Sequence, residues 1–291
     1  MSLSPRAGFV GLGAMGRPMA AHLARAGLLE AVWTRTPENG AAFAGEHGVA
    51  AAANLAALAA RCEVVALCVP ADADVLASVD ELAGAARPGM IVVDHSTVAS
   101  VTAREAQRRM RAAGGDFVDA PVSGGVEGAR NGKLSVMLGG DADVIERVRP
   151  VLECYAARIG HMGGIGAGQD AKAVNQVLVA GIAAAVCEGL ALAEGLGLDP
   201  ERLLPTLQAG AAGSWFLDKR GATMLRDEFG VGFKLALLHK DLAIVRELAR
   251  STGTDRSVIE KALADYAELM ARGCGSDDIS ALIRLKRTTK A

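Results

Sequence analysis

Aromatic side chains are scarce in this chain: six Phe, two Trp and two Tyr amount to 3% of 291 residues. That leaves too few rings for the stacking platforms of single-strand or RNA binders. Neither sign of charge dominates, with 31 basic and 33 acidic residues and a net charge of −2, which excludes a general nucleic-acid binder. Arg104, Arg108, Arg109 and Arg111 cluster, but on one helix face, and read as a solvated surface. The five cysteines (Cys62, Cys68, Cys154, Cys187, Cys274) are odd in number, widely spaced and without a C-x-x-C. They signal neither a disulfide framework nor a zinc site. No two of the five histidines have helical ligand spacing, so no metal is expected. The longest apolar run, Val177 to Cys187, is about half the length needed to cross a bilayer. Met1-Ser2-Leu3 leads almost directly into a strand, with no secretory leader. These absences describe a reduced, cytoplasmic protein without a membrane span.

What is present is small and apolar: 51% hydrophobic residues and 35 glycines. Close helix approach and tight strand–helix turns suit that composition. In the first half, short apolar runs at Gly8–Val10, Ala31–Thr34, Val64–Val69, Ile91–Asp94, Phe117–Asp119 and Leu134–Leu138 read as strands. Helical patterns at Met15–Ala26, Pro37–His47, Asn54–Arg61, Val98–Ala113 and Ala142–Tyr155 lie between most of them. The alanine-rich 50–60 segment reads as helix. Alternation of this kind predicts right-handed βαβ units in a mainly parallel sheet. Beyond residue 163 only helices are expected, beginning with a long apolar one over Gln169–Leu196. Shorter ones follow at Asp199–Ala209, Trp215–Leu225, Leu235–Ser251 and Ser257–Arg272, with a last near the C-terminus. The fold class is therefore α/β: a Rossmann-type doubly wound parallel sheet over residues 1–163, then an all-helical C-terminal domain over 164–291. A ligand site is expected in the cleft between them, at the carboxyl ends of the strands.

The segment Phe9-Val10-Gly11-Leu12-Gly13-Ala14-Met15-Gly16 is a G-x-G-x-x-G fingerprint with a strand before it and an amphipathic helix after it. Gly11 allows the tight turn, Gly13 admits a pyrophosphate, and Gly16 lets the helix pack on the strand. Gly11 to Gly16, Leu12, Ala14 and Met15 included, are the expected dinucleotide cradle. The second strand ends Trp33-Thr34-Arg35-Thr36, with no acid until Glu38. A carboxylate there would accept from a ribose 2′-OH, whereas the Arg35 fork, flanked by the Thr34 and Thr36 hydroxyls, suits a 2′-phosphate. NADP is therefore expected over NAD.

Three further segments can do chemistry. Val118-Asp119-Ala120-Pro121-Val122-Ser123-Gly124-Gly125 runs from a strand into a donor-rich turn, where Ser123, Gly124 and Gly125 can hold a carboxylate. Gly163-Gly164-Ile165-Gly166-Ala167-Gly168 leads into Lys172, the one basic side chain of the long helix, with Asn175 and Gln176 three and four residues on. Desolvation there lowers the amine below the ordinary lysine value of about 10.4 and suits it to proton transfer. His239-Lys240-Asp241 is surface decoration unless its helix faces the cleft. Trp215 and Phe216 either shape a pocket or belong to the core.

Taken in order, these motifs resemble the β-hydroxyacid dehydrogenase family, also called the 3-hydroxyisobutyrate dehydrogenase family. GLGAMGRPMA at 11–20 is similar to its cofactor fingerprint, and DAPVSGG at 119–125 to its substrate signature, continued by Gly128, Gly132, Lys133 and Leu134. Gly166-x-Gly168-x-x-x-Lys172-x-x-Asn175-Gln176 resembles its catalytic signature, and Lys240-Asp241-Leu242 its late KDL element. The resemblance implies Lys172 as general acid/base and Ser123, Gly124 and Gly125 on the substrate carboxylate, with Asn175 and Gln176 also substrate-binding. It implies Thr97 beside the nicotinamide, Val69 and Pro70 on the adenosine side, and Lys240 on the cofactor. Gln176 stands where the family often has a second asparagine, as in the tartronate semialdehyde reductase branch. The implied enzyme moves a hydride between NADP(H) and a small 3-hydroxy acid or semialdehyde, as a homodimer or homotetramer. An imine reductase, which resembles this fold but replaces the lysine with an acid or tyrosine, and a non-catalytic cofactor-binding protein are the alternatives.

Overall fold

The computed structural model describes residues 5–230 and 232–287; the opening Met1-Ser2-Leu3 lies outside them. The chain divides into two compact units, Met1–Lys172 and Ala173–Ala291. In the first, the described residues form β1 (Ala7–Val10), β2 (Leu29–Trp33), β3 (Ala50–Ala51), β4 (Val64–Leu67), β5 (Ile91–Asp94), β6 (Asp116–Asp119), β7 (Val122–Ser123), β8 (Leu134–Gly139) and β9 (Ala156–Gly163). They make one sheet in the order β3-β2-β1-β4-β5-β6-β8-β7, with β9 paired to β8 off that path. The neighbours from β3 to β6 run parallel, and 3-2-1-4-5-6 is the strand order of dinucleotide-binding folds. β8 is antiparallel to β6 and β7 and parallel to β9.

β4 and β5 are buried along their whole length, which explains why they read as unbroken apolar runs rather than as alternating ones. Successive residues feed two cores because side chains alternate across a strand. Phe9, Val64, Ala66, Ile91 and Val93 join one cluster with Met19, Leu23 and Phe43. Val10, Val65, Leu67 and Val92 join the other with Leu55, Leu58, Val75, Val79 and Met110. The covering helices are α1 (Gly16–Arg25), α2 (Pro37–His47), α3 (Leu55–Ala59), α4 (Asp72–Ala83), α5 (Ser100–Ala112), α6 (Gly125–Arg130) and α7 (Ala142–Leu152). On α5 the arginine cluster is tied up locally: Arg108 and Arg109 on Glu105, Arg109 also on Asp80, and Arg111 on Asp116 and Asp141.

Five elements, β3, β7, β9, α4 and α6, go beyond the sequence reading. The alanine-rich stretch is not one helix. Ala50 and Ala51 pair with β2, and Asn54 then caps α3 by accepting from the Ala57 amide at 2.8 Å. β9 escaped notice because it is a largely exposed edge, AARIGHMG, with a single β-branched residue. α4 and α6 were not expected either, although Val75, Val79 and Leu82 give α4 a clear buried face.

α8 (Ala167–Gly195) starts in the first unit and continues into the second. With α9 (Pro200–Ala209), α10 (Trp215–Leu225), α11 (Leu235–Thr252), α12 (Ser257–Ala271), a 3-10 turn at Ile279–Leu282 and α13 (Ile283–Lys286), it completes the helical half. Asp199 and Ser214 cap α9 and α10. The core of this unit takes Ala180, Ala183, Cys187 and Leu190 from α8, Leu235, Leu238, Leu242 and Val245 from α11, and Ile259, Leu263, Tyr266 and Leu269 from α12. α8 has 29 residues and a stretch of mean hydropathy 1.9, so by length and composition alone it could cross a membrane. Phe216 belongs to this core, whereas Trp215 is half exposed under the Arg220 guanidinium.

In the sheet unit a buried polar pair fixes the end of β5. His95 lies between the Ala120 carbonyl, 2.8 Å from Nδ1, and the Tyr155 hydroxyl, 2.8 Å from Nε2. The carbonyl requires the proton on Nδ1, so Tyr155 donates to Nε2. Burial lowers His95 from 6.5 to about 4. The unfolded chain therefore binds a proton below about pH 6.5 that the native state refuses until about pH 4, and stability falls as pH drops through that window. His95→Gln removes this dependence. In urea unfolding, the stability advantage of the natural chain over the variant should narrow by about 2–3 kcal/mol from pH 7.5 to 4.5. A gap that stays constant with pH contradicts the buried neutral imidazole.

Candidate active site

The glycine turn after β1 has the shape the fingerprint requires. Gly11 has φ +92°, and a Cβ on it would stand 2.2 Å from the Cys68 carbonyl oxygen. A Cβ on Gly16 would stand 1.9 Å from the Gly11 oxygen, so the helix start and the turn are in backbone contact. Gly13 is the opposite: it is exposed, and a Cβ there would meet nothing within 4 Å. No side chain caps α1, and its first turn carries no acid. A pyrophosphate fits this cradle: open space over Gly13 and Ala14, and a helix N-terminus with no competing anion. Leu12 turns its side chain into the core and Met15 packs beside it, leaving their backbone to the cradle.

At the end of β2, Thr34 is half-buried while Arg35 and Thr36 are exposed. Arg35 Nη1 lies 3.2 Å from Asp74 Oδ1 in the first turn of α4. An acid does approach this corner, but from α4, which follows β4, rather than from β2. After β4, Val69 donates its amide to Ser96 Oγ at 2.9 Å, tying its turn to the one after β5; Pro70 is exposed beside it. Thr97 follows Ser96 and is half-buried.

A buried polar network surrounds Asp119 at the end of β6. Its carboxylate is fully buried and accepts from the Gly166 amide at 2.7 Å and the Gln169 amide at 2.8 Å. Burial pushes its carboxyl above the ordinary range, and the two amides pull partly back. The glycines around it are steric requirements: a Cβ on Gly139 or Gly168 would come within 2.8 Å of the carboxylate. α8 thus begins on Asp119. Gln169, 3% exposed, donates Nε2 to the Ser96 carbonyl at 2.8 Å and accepts from the Val98 amide at 3.2 Å. One turn later Lys172, also buried, donates Nζ to the Val122 carbonyl at 2.8 Å. Val122 precedes Ser123, Gly124 and Gly125, and the two glycines have φ of +127° and +62°. Lys172, the Ser123 turn and the Thr97 loop are therefore linked inside the first unit.

In the second unit, Asn175 donates Nδ2 to Gln176 Oε1, and Gln176 donates Nε2 to Asp241 Oδ2 at 2.7 Å. Lys240 Nζ lies 2.9 Å from Asp241 Oδ1. Asp241 is buried on α11, so the Lys-Asp pair is no surface ornament. Asn175, Gln176, Asp241 and Lys240 form one chain of contacts. Reasoning from residue types passed over Gln169 as a site residue and quoted Asp119 and Asp241 only within motifs. The available signal was a polar side chain inside an otherwise apolar or glycine-rich stretch.

Residues 6–164 match the family described as the NAD binding domain of 6-phosphogluconate dehydrogenase. Residues 166–286 match the one described as NAD-binding of NADP-dependent 3-hydroxyisobutyrate dehydrogenase. The chain is 36% identical to the 2-hydroxy-3-oxopropionate reductase of Escherichia coli, over 95% of each chain. It is 34% identical to the NAD-dependent L-serine dehydrogenase of Pseudomonas aeruginosa, over 95% of this chain and 96% of that one. The solved structure of 3-hydroxyisobutyrate dehydrogenase of Mycobacterium tuberculosis with L-serine superposes with a TM-score of 0.87 at 33% identity, covering 98% of this chain and all of that one. A cradle that fits a dinucleotide, the strand order and these matches agree, and the chain belongs to the 3-hydroxyisobutyrate dehydrogenase family of NAD(P)-dependent 3-hydroxy acid dehydrogenases.

Proposed function

We propose that this protein interconverts a small 3-hydroxy acid and its semialdehyde with NADP(H), using Lys172 as general acid/base. One observation carries the reading: the buried Lys172 amine hydrogen-bonds to Val122, the residue before the Ser123-Gly124-Gly125 turn. The turn holds the substrate carboxylate through the Ser123 hydroxyl and the two glycine amides, so the reacting carbon lies within reach of the lysine. The bound nicotinamide supplies hydride to the carbonyl carbon in reduction and accepts it in oxidation. Lys172 gives its proton to the carbonyl oxygen in reduction, which leaves a hydroxyl group and a neutral amine. In oxidation the neutral amine removes the hydroxyl proton. Thr97 lies on the nicotinamide side, Val69 and Pro70 on the adenosine side. Asn175 and Gln176 serve the substrate and Lys240 the cofactor.

Lys172→Ala should lower kcat by about 100- to 10,000-fold, the usual contribution of a general acid/base. NADPH affinity, read from its fluorescence on binding, should stay close to that of the natural chain. A variant that keeps most of its kcat contradicts the assignment.

The preference for NADP rests on Arg35, Thr34 and Thr36 at the end of β2. A 2′-phosphate takes over the guanidinium from Asp74, whose ion pair with it is largely solvent-exposed and weak. Arg35→Asp should weaken NADPH binding at least about tenfold more than NADH binding, since it removes a charge-assisted contact and adds repulsion. Equal losses for both coenzymes overturn the preference.

The domain boundary at residue 163 is supported by the break between the two family matches, after 164 and before 166. The compact units divide later, at 172, because Asp119, Gln169 and Lys172 bind the first turn of α8 to the sheet unit. A homodimer or homotetramer is supported by α8 itself. Val174, Leu178, Ile182 and Leu192 are all exposed. At 100° per residue they fall on one stripe about 80° wide, with small Ala185 and Gly189 between them. An apolar stripe of this length on a protein surface marks an interaction site. Leu178→Glu with Leu192→Glu should shift the mass from light scattering towards the monomer; an unchanged oligomer places the interface elsewhere. A cytoplasmic enzyme is the matching location, and all five cysteines are free.

A further inference from the structure

Gln169 belongs to neither a cofactor nor a substrate contact in the proposed reaction, yet both ends of its side-chain amide are engaged. Its carbonyl oxygen accepts from Val98 N at 3.2 Å and its NH2 donates to Ser96 O at 2.8 Å, the peptide groups on either side of Thr97. Its own amide donates to Asp119. The Ser96 hydroxyl in turn accepts from Val69, and the Ser96 amide donates to Asp94. A single side chain thus staples the loop after β5 to the first turn of α8. Lys172 sits three residues on, about 4.5 Å further along the helix axis. Gln169 is 3% exposed, and both ends of its amide are engaged by the backbone around Thr97.

We propose that Gln169 is a positioning residue that fixes the turn carrying Lys172 against the loop carrying Thr97. The inference rests on the reading of Lys172 as acid/base and of Thr97 as the nicotinamide neighbour. The two backbone groups it serves are buried, so an apolar side chain of equal size leaves a donor and an acceptor unpaired and frees the loop to shift. A displacement of about 1 Å between reacting groups can cost 100-fold in rate.

The test uses the full-length enzyme with Gln169→Leu and Gln169→Glu. In Gln169→Leu, amide hydrogen exchange over residues 95–99 and 166–170 should accelerate at least about tenfold, while β1 and β4 stay protected. With NADPH and tartronate semialdehyde, kcat should fall about 10- to 100-fold, with KM and NADPH affinity changing less than about threefold. Gln169→Glu separates positioning from general loosening. Ionised, it keeps the acceptor for Val98 but faces the Ser96 carbonyl without a proton; protonated, it restores both bonds. Its kcat relative to the natural enzyme should therefore rise as pH falls from 8 to 5.5. The titratable and charged groups on the elements packed against it, Asp94 and His95 on the loop after β5, Asp72 on Ala99, Arg104 beside Gly166, and Asp119, Asp170 and Lys172, are common to both proteins, so their own titration cancels in the ratio. Unchanged exchange in Gln169→Leu, an unchanged kcat, or a flat Gln169→Glu ratio each overturns the proposal. If Gln169→Leu does not fold, the Gln169→Glu ratio decides alone. Failure of the underlying reading shows elsewhere: Lys172→Ala stays active, while the exchange measurement still judges the staple without any reaction.

Discussion

A fully buried carboxylate holds this site together. Asp119 is fully buried at the end of β6, where an unpaired charge would be prohibitive. It is tolerated because the N-terminus of α8 meets it with the Gly166 and Gln169 amides, charge-assisted bonds aligned with the helix dipole. The bond constrains both sides. It requires glycine at 139 and 168, since a Cβ at either would collide with the carboxylate. It also makes the first turn of a helix from the C-terminal half a fixture of the sheet unit, Lys172 included.

The motif G-A-G-Q-x-x-K then has a physical grammar. Gly166 supplies its amide and Gly168 the close approach to Asp119, Gln169 reaches sideways to Ser96 and Val98, and Lys172 emerges one turn later onto the Val122 carbonyl. The fingerprint after β1 has a comparable logic, with two glycines consumed by backbone contact at 11 and 16 and one left open at 13. In both places glycine marks where backbone, carboxylate or ligand must come closer than a side chain allows.

Much of this was legible in the residues alone. Buried parallel strands announce themselves as runs such as Val64–Leu67 and Ile91–Asp94, and the helical half shows its buried faces at helical spacing in α11 and α12. Elements without such a signal were lost. β3 and β7 are two residues each, and β9 is an exposed edge whose stability comes from pairing with β8 rather than from its own side chains. Among the proposed site residues, Ser123 and Lys172 stand out because a hydroxyl before two glycines and a lone lysine in an apolar helix are anomalies within a short window. Asp119 and Gln169 act across 50 and 73 positions, on the Gln169 amide and on Ser96, and no local pattern encodes such partners. The Arg35–Asp74 contact, 39 positions apart, was hidden for the same reason.

The central claim is that the Lys172 amine exchanges a proton with the oxygen at the reacting carbon. It is tested most directly by a crystal structure of the enzyme with NADP+ and a 3-hydroxy acid. The account predicts Lys172 Nζ within about 3 Å of the substrate hydroxyl oxygen, with the substrate carboxylate on Ser123, Gly124 and Gly125. A substrate hydroxyl bound to another side chain, with Lys172 still donating to the Val122 carbonyl, would contradict it.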